Sequence, residues 1–471
     1  MNSMRVALID PPGINRGLNT GLAMLAASLK QRGHNVRTID LNNNPRNGGN
    51  RIREVIKYDV IGISVKSFTL ESASRIAAEL GRDDLICGGP HVTLDALSVL
   101  KENRNFKAGI EGEAEEVFPR LLEAWGSGNK LRGMAGVVSE GVGGIFESGR
   151  GCPANLTPDL DALPFADYGC FDSLNGNLYD YPVITSRGCP YSCIYCCVGR
   201  IAGRKIRFRS VAGVVEEIAE ARLRYNSNSF HILDDNFTFE PERAKGFCAM
   251  LIKRNIRMSW SCPNGIRADR LDEELVRLMA ESGCRQASIG IESLDGEVFS
   301  NIKKGEEICD IKNAISLFNR HGIRVNGFFM VGLPKDSFRK SMSSLNESLK
   351  LGLDSGHWNI FTPYPGTEAW EWVNKNARVL KDWRQGCHFA PRPEIVFETE
   401  DFKSSQRLHI YKVANIKCRN YSAFLPGGAL SAGSVLRMLC LILRYDALNL
   451  LGHLRYVFNH RRDIRRYLKN N

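Results

Sequence analysis

Three thiols stand four and three residues apart in Cys189-Pro-Tyr-Ser-Cys193-Ile-Tyr-Cys196, directly after the apolar run Tyr181-Pro-Val-Ile-Thr185. That spacing lets one loop wrap around a cubane iron–sulfur cluster and ligate three of its irons, leaving the fourth without a protein ligand. An open iron is a place for chemistry. The competing reading is half of a zinc site, which needs a fourth Cys or His nearby. Cys197 adjoins the loop, but adjacent cysteines rarely ligate one metal together. The other eleven of the fourteen cysteines, Cys197 included, form no second motif.

Further candidates stand where apolar runs end. The run 229–233 leads into Asp234-Asp235-Asn236. Acidic residues there can accept hydrogen bonds from an ammonium group, and capping of a following helix is the alternative role. The run 258–262 precedes Arg267, whose planar fork suits a carboxylate. Glu292 and Ser293 follow the run 286–290, and a carboxylate at that position is hard to explain as core because an unpaired buried charge is costly.

These residues need elements to position them. From residue 4 to about 125, short apolar runs at 6–9, 36–40, 60–64, 85–87 and 107–110 alternate with helix-like segments such as 22–32, 70–80 and 114–125. This alternation predicts a doubly wound, Rossmann-like parallel sheet, in which ligands sit beyond the carboxyl ends of the strands. Those ends carry Asp10-Pro-Pro-Gly13, Ser64 to Thr69, Gly88-Gly-Pro-His-Val-Thr93 and Glu111-Gly-Glu113. Residues 126–180 mix Gly, Asp and Pro with little periodicity and read as a connector. From 181 to about 370 six strand-and-helix repeats predict a partial (β/α)6 barrel of parallel strands, with its active site at their carboxyl ends. The α/β chain is thus divided into a domain at 1–140, a linker at 141–180, a barrel at 181–385 and a mostly helical, basic region at 386–471.

The loop Cys-x3-Cys-x2-Cys, with Tyr195 just before its last thiol, resembles the signature of the radical S-adenosylmethionine enzymes. The resemblance covers residues 4 to 370, including the Pro158 to Asp167 linker and the Val331-Gly-Leu-Pro334 strand end. It implies a 4Fe-4S cluster on Cys189, Cys193 and Cys196 that cleaves S-adenosylmethionine to a 5′-deoxyadenosyl radical. It places Asp234 or Asp235, Arg267, Glu292, Ser293 and Pro334 beside that substrate. Relatives often continue the last motif with Gly-Glu-Thr, whereas this chain has Lys335-Asp336-Ser337. The amino-terminal row of strand ends resembles the cobalamin-binding domain of one branch of the family, with Gly88, Gly89, His91, Glu111 and Gly112 as the residues beside a corrin. The Asp-x-His-x-x-Gly motif is absent, so the implied cobalt has no lower histidine ligand.

The activity this implies is cobalamin-dependent methylation of an unactivated carbon. The alternatives are radical ring formation, contraction or rearrangement of a lipid or tetrapyrrole, and, from another class, a non-catalytic cluster-containing binding or regulatory protein. Asp235 and Glu292 argue against the last, because a mere cluster holder has no use for them. The implied partners are a small-molecule or lipid-like substrate and an external electron donor such as flavodoxin or ferredoxin. Nucleic acid is disfavoured, since the relatives that modify transfer RNA carry extra domains with no counterpart here.

Many cysteines and an amino terminus that opens directly on a strand-like run predict a reducing, cytoplasmic setting. The net charge of +11 is uneven: residues 451–471 carry Arg455, Arg461, Arg462, Arg465, Arg466 and Lys469 against Asp463. Upstream, the leucine-rich stretch 433–452 is interrupted by Arg437, Arg444 and Asp446, which makes it amphipathic rather than spanning. Packing over the barrel mouth is the favoured destination; a membrane surface with the basic tail at its headgroups competes with it.

Overall fold

The computed structural model of the chain describes residues 3–14, 17–45, 48–126, 134–141, 144–146, 155–174, 176–386, 393–424 and 432–459. It divides into two compact units, Met1–Pro190 with Cys197–Asp235, and Tyr191–Cys196 with Asn236–Asn471.

The first unit holds strands β1 (Arg5–Asp10), β2 (Asn35–Asp40), β3 (Val60–Ser64), β4 (Leu85–Gly88), β5 (Phe106–Ile110), β6 (Val137–Gly141) and β7 (Gly144–Phe146). Their order in the sheet is β2-β1-β3-β4-β5-β6-β7, with β1 to β5 parallel and β6 and β7 antiparallel. Strand β3 is buried along its whole length and β1 along all but its first residue. Continuous apolar runs of this kind belong to parallel strands covered by helices on both faces. The intervening helices include Thr20–Gln31, whose start is capped by Asn19, and Pro90–Glu102, with proline in its first turn. Gly89 makes the turn into the second of these at φ 107°, where a Cβ would stand 2.9 Å from the Val65 carbonyl oxygen, so only glycine fits. The five expected parallel strands are all present. The sheet order reverses between β1 and β3, which opens a crevice at their carboxyl ends.

The segment expected to be a plain connector differs from that expectation in two ways. Its Gly-rich part contributes β6 and β7, an antiparallel extension too short to show a period in sequence. Farther on, Tyr168 is wholly buried, its hydroxyl 3.0 Å from both Thr20 Oγ1 and the Pro182 carbonyl. Asp167 pairs with Lys30 and Arg224 at 2.7 Å each, and its amide donates to the Ala23 carbonyl. The linker is therefore a fixed tie between the helix after β1 and the strand that follows it in sequence.

That strand is β8 (Asp180–Val183), followed by β9 (Ser186–Arg187), β10 (Arg207–Phe208) and β11 (Ser229–Ile232). Strands β8 and β11 pair in parallel, and β9 and β10 form a short antiparallel pair.

In the second unit β12 (Ser259–Ile266), β13 (Cys284–Glu292), β14 (Arg324–Val331) and β15 (Ser355–Ile360) pair consecutively in parallel. The helices Glu273–Glu281, Ile308–Arg320 and Phe338–Ser348 alternate with them. With β8 and β11, all six strands expected after the linker exist. Strand β12 runs past Pro263 to Ile266 through a register shift, and β15 begins at Ser355, ahead of the apolar run that marks it in sequence. Helix Ser404–Lys417 covers β15: the Asn415 side chain donates to the Trp358 carbonyl and accepts from its amide, standing in for a further strand.

The carboxyl-terminal part is mostly helical, as expected. Helix Ala432–Tyr445 packs on helix Ser404–Lys417 through Tyr445 and His409, and helix Leu450–Asn459 is tied in by buried His453 between Tyr421 and Asp446. Arg461, Arg462, Asp463, Arg465, Arg466 and Lys469 lie outside the described residues. Among the described residues no helix is long and apolar enough to cross a membrane.

The departure Lys335-Asp336-Ser337 has a structural role. The buried Asp336 carboxylate accepts from the amides of Gly332 and Ser337 and from Ser341 Oγ, 2.8 Å each, fixing the turn after β14. Burial nevertheless pushes this carboxyl up from 3.8 to about 6. The folded chain therefore holds a proton there that the unfolded chain has released. The associated stability is present below about pH 4 and is lost as pH rises through 6, amounting to about 3 kcal/mol. Denaturant titrations of wild type and Asp336→Asn should show the variant gaining on wild type between pH 4 and pH 7; a constant difference across that window contradicts the assignment.

Candidate functional site

The crevice at the β1/β3 reversal is a cavity of about 350 Å³. Ser64 and Lys66 after β3, Gly88 and Gly89 after β4, and Gly112 and Glu113 after β5 line one part of it. Gly21 and Leu22 contribute from the first turn of the helix after β1. The opposing wall comes from the later part of the same unit: Ile184, Ser186 and Arg187 after β8, and Leu233 and Asp235 after β11. The carboxyl ends of two sets of parallel strands thus open on one space.

What fixes that wall is a buried ion network. Arg187 pairs with Glu115 at 2.5 Å and with Glu113 at 3.2 Å, and Arg207 binds Glu113 through two nitrogens at 2.6 and 2.9 Å. Thr157 adds its amide to Glu113 at 2.7 Å. Although burial opposes ionisation, Arg207 and Arg187 hold the Glu113 carboxyl below its ordinary range. Glu113 and Glu115 belong to the start of the helix after β5, and Arg187 stands two residues before Cys189. The rim near β1 is a second polar cluster: Asn19 Nδ2 bonds both Asp10 and Ser64, and Lys66 lies 3.3 Å from Asp10.

Of the residues expected beside a corrin, Gly88, Gly89 and Gly112 line the cavity, whereas His91 and Glu111 do not. His91 is fully buried in the helix after β4, with Nδ1 3.1 Å from Ser67 Oγ; the Glu111 amide pairs with the Gly136 carbonyl. His91 is turned by its helix toward Ser67 rather than toward the strand-end opening.

Asp234 and Asp235 separate sharply. Asp234 is buried and accepts from the Thr185 amide, Thr185 Oγ1 and Ser186 Oγ at 2.6 Å each, so it locks β8 to β11. Asp235 accepts from the Gly188 amide at 3.1 Å and keeps an open surface toward the cavity. Enclosure lifts its carboxyl to about 6, against the opposing pull of the Gly188 amide and of Arg187 and Arg207.

The cysteine loop crosses from one unit to the other in sequence. In the first, the Cys189 amide bonds the Gly203 carbonyl, and Gly188 at φ 93° makes the turn before it. Cys197 begins helix Val198–Ile201, and burial pushes its thiol up to about 11, which disfavours the thiolate a metal requires. In the second, Cys193 is half-buried and Cys196 exposed, while Ile194 between them turns inward. Ile194 is buried and exchanges backbone hydrogen bonds with Ile302 and Ala369; the Tyr191 ring lies 3.6 Å from the Arg267 guanidinium; the Tyr195 hydroxyl donates to Glu292 at 3.1 Å.

Arg267 is engaged within its own unit. Its nitrogens bond Asp269 and the carbonyls of Lys304 and Gly305, so its fork holds the basic turn rather than a free carboxylate. Glu292 is buried, its carboxyl raised by that burial against the pull of Lys304 and Tyr195, and held at φ 65°, a strained position for a side-chain-bearing residue. Ser293 follows it, its Oγ accepting from the Asp295 amide, and the Pro334 carbonyl accepts from Asn301. Sequence reasoning passed over Asn236. It is almost wholly buried, and neither amide atom of its side chain has a hydrogen-bond partner among the described residues. Its place after two acids was the available signal.

Comparisons with known proteins find both domains and the fold. The family model of the Radical SAM superfamily matches residues 183–344, and that of the B12 binding domain matches residues 15–122. An uncharacterized methyltransferase of Pyrococcus horikoshii is 27% identical over 434 residues, covering 88% of this chain and 92% of the relative. The cytidylyl-2-hydroxyethylphosphonate methyltransferase of Streptomyces wedmorensis is 28% identical over 411 residues, 74% of this chain and 76% of that one. In fold, the chain is similar to the radical S-adenosylmethionine methyltransferase TsrM of Kitasatospora setae, solved with cobalamin and a 4Fe-4S cluster bound: TM-score 0.70, 16% identity, 95% of this chain and 90% of that one.

Replacing Glu113 by alanine leaves Arg207 without its carboxylate and Arg187 with one of two. Removing one partner of a buried pair should lower unfolding free energy by about 3–5 kcal/mol. Chemical denaturation measures it, and a loss under about 1 kcal/mol, the range of exposed pairs, contradicts the role given to the network.

Proposed function

We propose that this chain, which carries a radical SAM domain and a B12-binding domain, cleaves S-adenosylmethionine reductively and methylates an unactivated carbon of a small molecule, with cobalamin as methyl carrier. The observation that carries this reading is the shared cavity, where the strand ends of a doubly wound sheet meet the strand ends that lead into the cysteine loop.

The residues fit the groups. A Cβ built on Gly21 meets only Asn19 Oδ1 at 3.4 Å, and small residues at Gly88, Gly89 and Gly112 leave the sheet edge open to a flat macrocycle. Cys189, Cys193 and Cys196 form a thiol-only donor set suited to three irons of a cubane. When bound, the cluster supplies the electron that cleaves S-adenosylmethionine and the corrin supplies the methyl group.

The chain's own residues bind and orient. Arg187 and Gly188 fix the backbone that carries Cys189. Asp235 offers a cavity-facing carboxyl to a cationic group, and Asn236 offers both a donor and an acceptor already stripped of water. Glu292, oriented by the Tyr195 hydroxyl, provides a second acceptor beside the loop. Small-molecule substrates are supported by the relative named for a cytidylyl phosphonate. The electron comes from an external donor of the flavodoxin or ferredoxin type.

An anaerobic assay of reconstituted protein with reductant and S-adenosylmethionine should yield 5′-deoxyadenosine, and Cys193→Ala should yield none; equal yields would remove the cluster assignment. The corrin site is tested separately. Gly21→Leu projects a side chain into the cavity without backbone strain, so it should lose hydroxocobalamin on gel filtration while wild type keeps it, and equal retention by both would place any corrin elsewhere.

A further inference from the structure

Six of the fourteen exposed large apolar residues among those described fall between residues 435 and 454: Val435, Leu436, Leu443, Leu448, Leu451 and Leu454. The five leucines are 51% to 106% exposed. They are not scattered. Leu436 and Leu443, seven apart, share one face of helix Ala432–Tyr445, and Leu451 and Leu454, three apart, share a face of helix Leu450–Asn459, with Leu448 in the turn between. The opposite side is the packed one: Ile442 is buried, Tyr445 meets His409, and His453 is fully buried between Tyr421 and Asp446. A concentrated apolar surface on an anchored helix pair marks an interaction site.

Charge selects the partner. The described part of this helix pair carries Arg437, Arg444 and Arg455, and its one acid, Asp446, is already bonded to His453. The sequence beyond it, residues 460–471, adds Arg461, Arg462, Arg465, Arg466 and Lys469 against Asp463. Leucines rimmed by arginines with almost no acidic group complement a surface that is apolar below and anionic above. We propose that the helices Ala432–Tyr445 and Leu450–Asn459 dock the enzyme on an anionic lipid bilayer, their leucines seated at the acyl boundary and their arginines at the headgroups. This assignment stands independently of the chemistry proposed for the cysteine loop.

The test is cosedimentation of the full-length chain with vesicles of phosphatidylcholine alone or phosphatidylcholine mixed with phosphatidylglycerol. Wild type should bind the mixed vesicles, less at high salt, and the neutral ones weakly. The double variant Leu443→Glu/Leu451→Glu should lose binding at least about tenfold. Arg437→Gln/Arg444→Gln, which leaves the apolar face intact, should bind mixed vesicles more weakly and with less salt sensitivity. Equal binding by wild type and the glutamate variant overturns the proposal, as does equal binding to neutral and anionic vesicles. Sedimentation equilibrium supplies the third arm: a wild-type dimer that the glutamate variant abolishes would assign the leucines to a second copy of this chain instead.

Discussion

The structure depends on two arginines held almost wholly out of water. Arg187 and Arg207 are buried with Glu113 and Glu115 in and behind the cavity wall, and taking four charges out of solvent is recovered only when the partners are in place. Such a network has little tolerance for an approximate fit. It therefore specifies where the strand before the cysteine loop lies relative to the helix after β5, at the level of single hydrogen bonds. Gly188 and the Gly203 carbonyl carry that register on to the backbone of Cys189. A cavity wall built this way is stiff, which suits a site that must hold reactive groups in fixed relation.

Around this frame, the polar residues near the strand ends fall into two kinds, and hydrogen-bond accounting tells them apart. Asp234, Arg267 and Asp336 have their capacity filled by backbone amides, hydroxyls and carbonyls of their own unit. They hold turns and strand ends together. Asp235, Asn236 and Glu292 retain capacity: one faces the cavity, one has no partner for either side-chain amide atom, and one is held at a positive φ with its charge disfavoured by burial. Each costs desolvation that the fold alone does not return. They are the groups that the proposed function gives to ligand binding.

Much of this was legible in the sequence, for identifiable reasons. The parallel strands read as uninterrupted apolar runs because helices cover both faces, and their ends carry the glycines and acids that chemistry needs. The thiol spacing is local and survives without any fold. What escaped were relations between distant residues. Nothing in the chain announces that Arg187 meets Glu115, seventy-two residues away in sequence, or that Asp234 is consumed by Thr185 while its neighbour Asp235 is not. His91 read as a corrin neighbour because it follows Gly88 and Gly89, but helix geometry turns it toward Ser67. The β6–β7 extension and buried Tyr168 were hidden in a segment whose composition signals a loop, since two short strands and one aromatic leave no period to detect.

A corrin in the switch-point cavity would be held by Gly88, Gly89 and Gly112 at the sheet edge, and would take no histidine from the described lining. The most direct measurement is the electron paramagnetic resonance spectrum of the protein loaded with cobalamin, gel-filtered and reduced to the cob(II) state, prepared with ordinary and with heavy-nitrogen-labelled protein. Because no histidine is among the described residues that line the cavity, stoichiometric cobalt is expected, with a spectrum that the labelling leaves unchanged. Loss of cobalt on gel filtration, or a nitrogen splitting that changes with the label, would contradict that expectation.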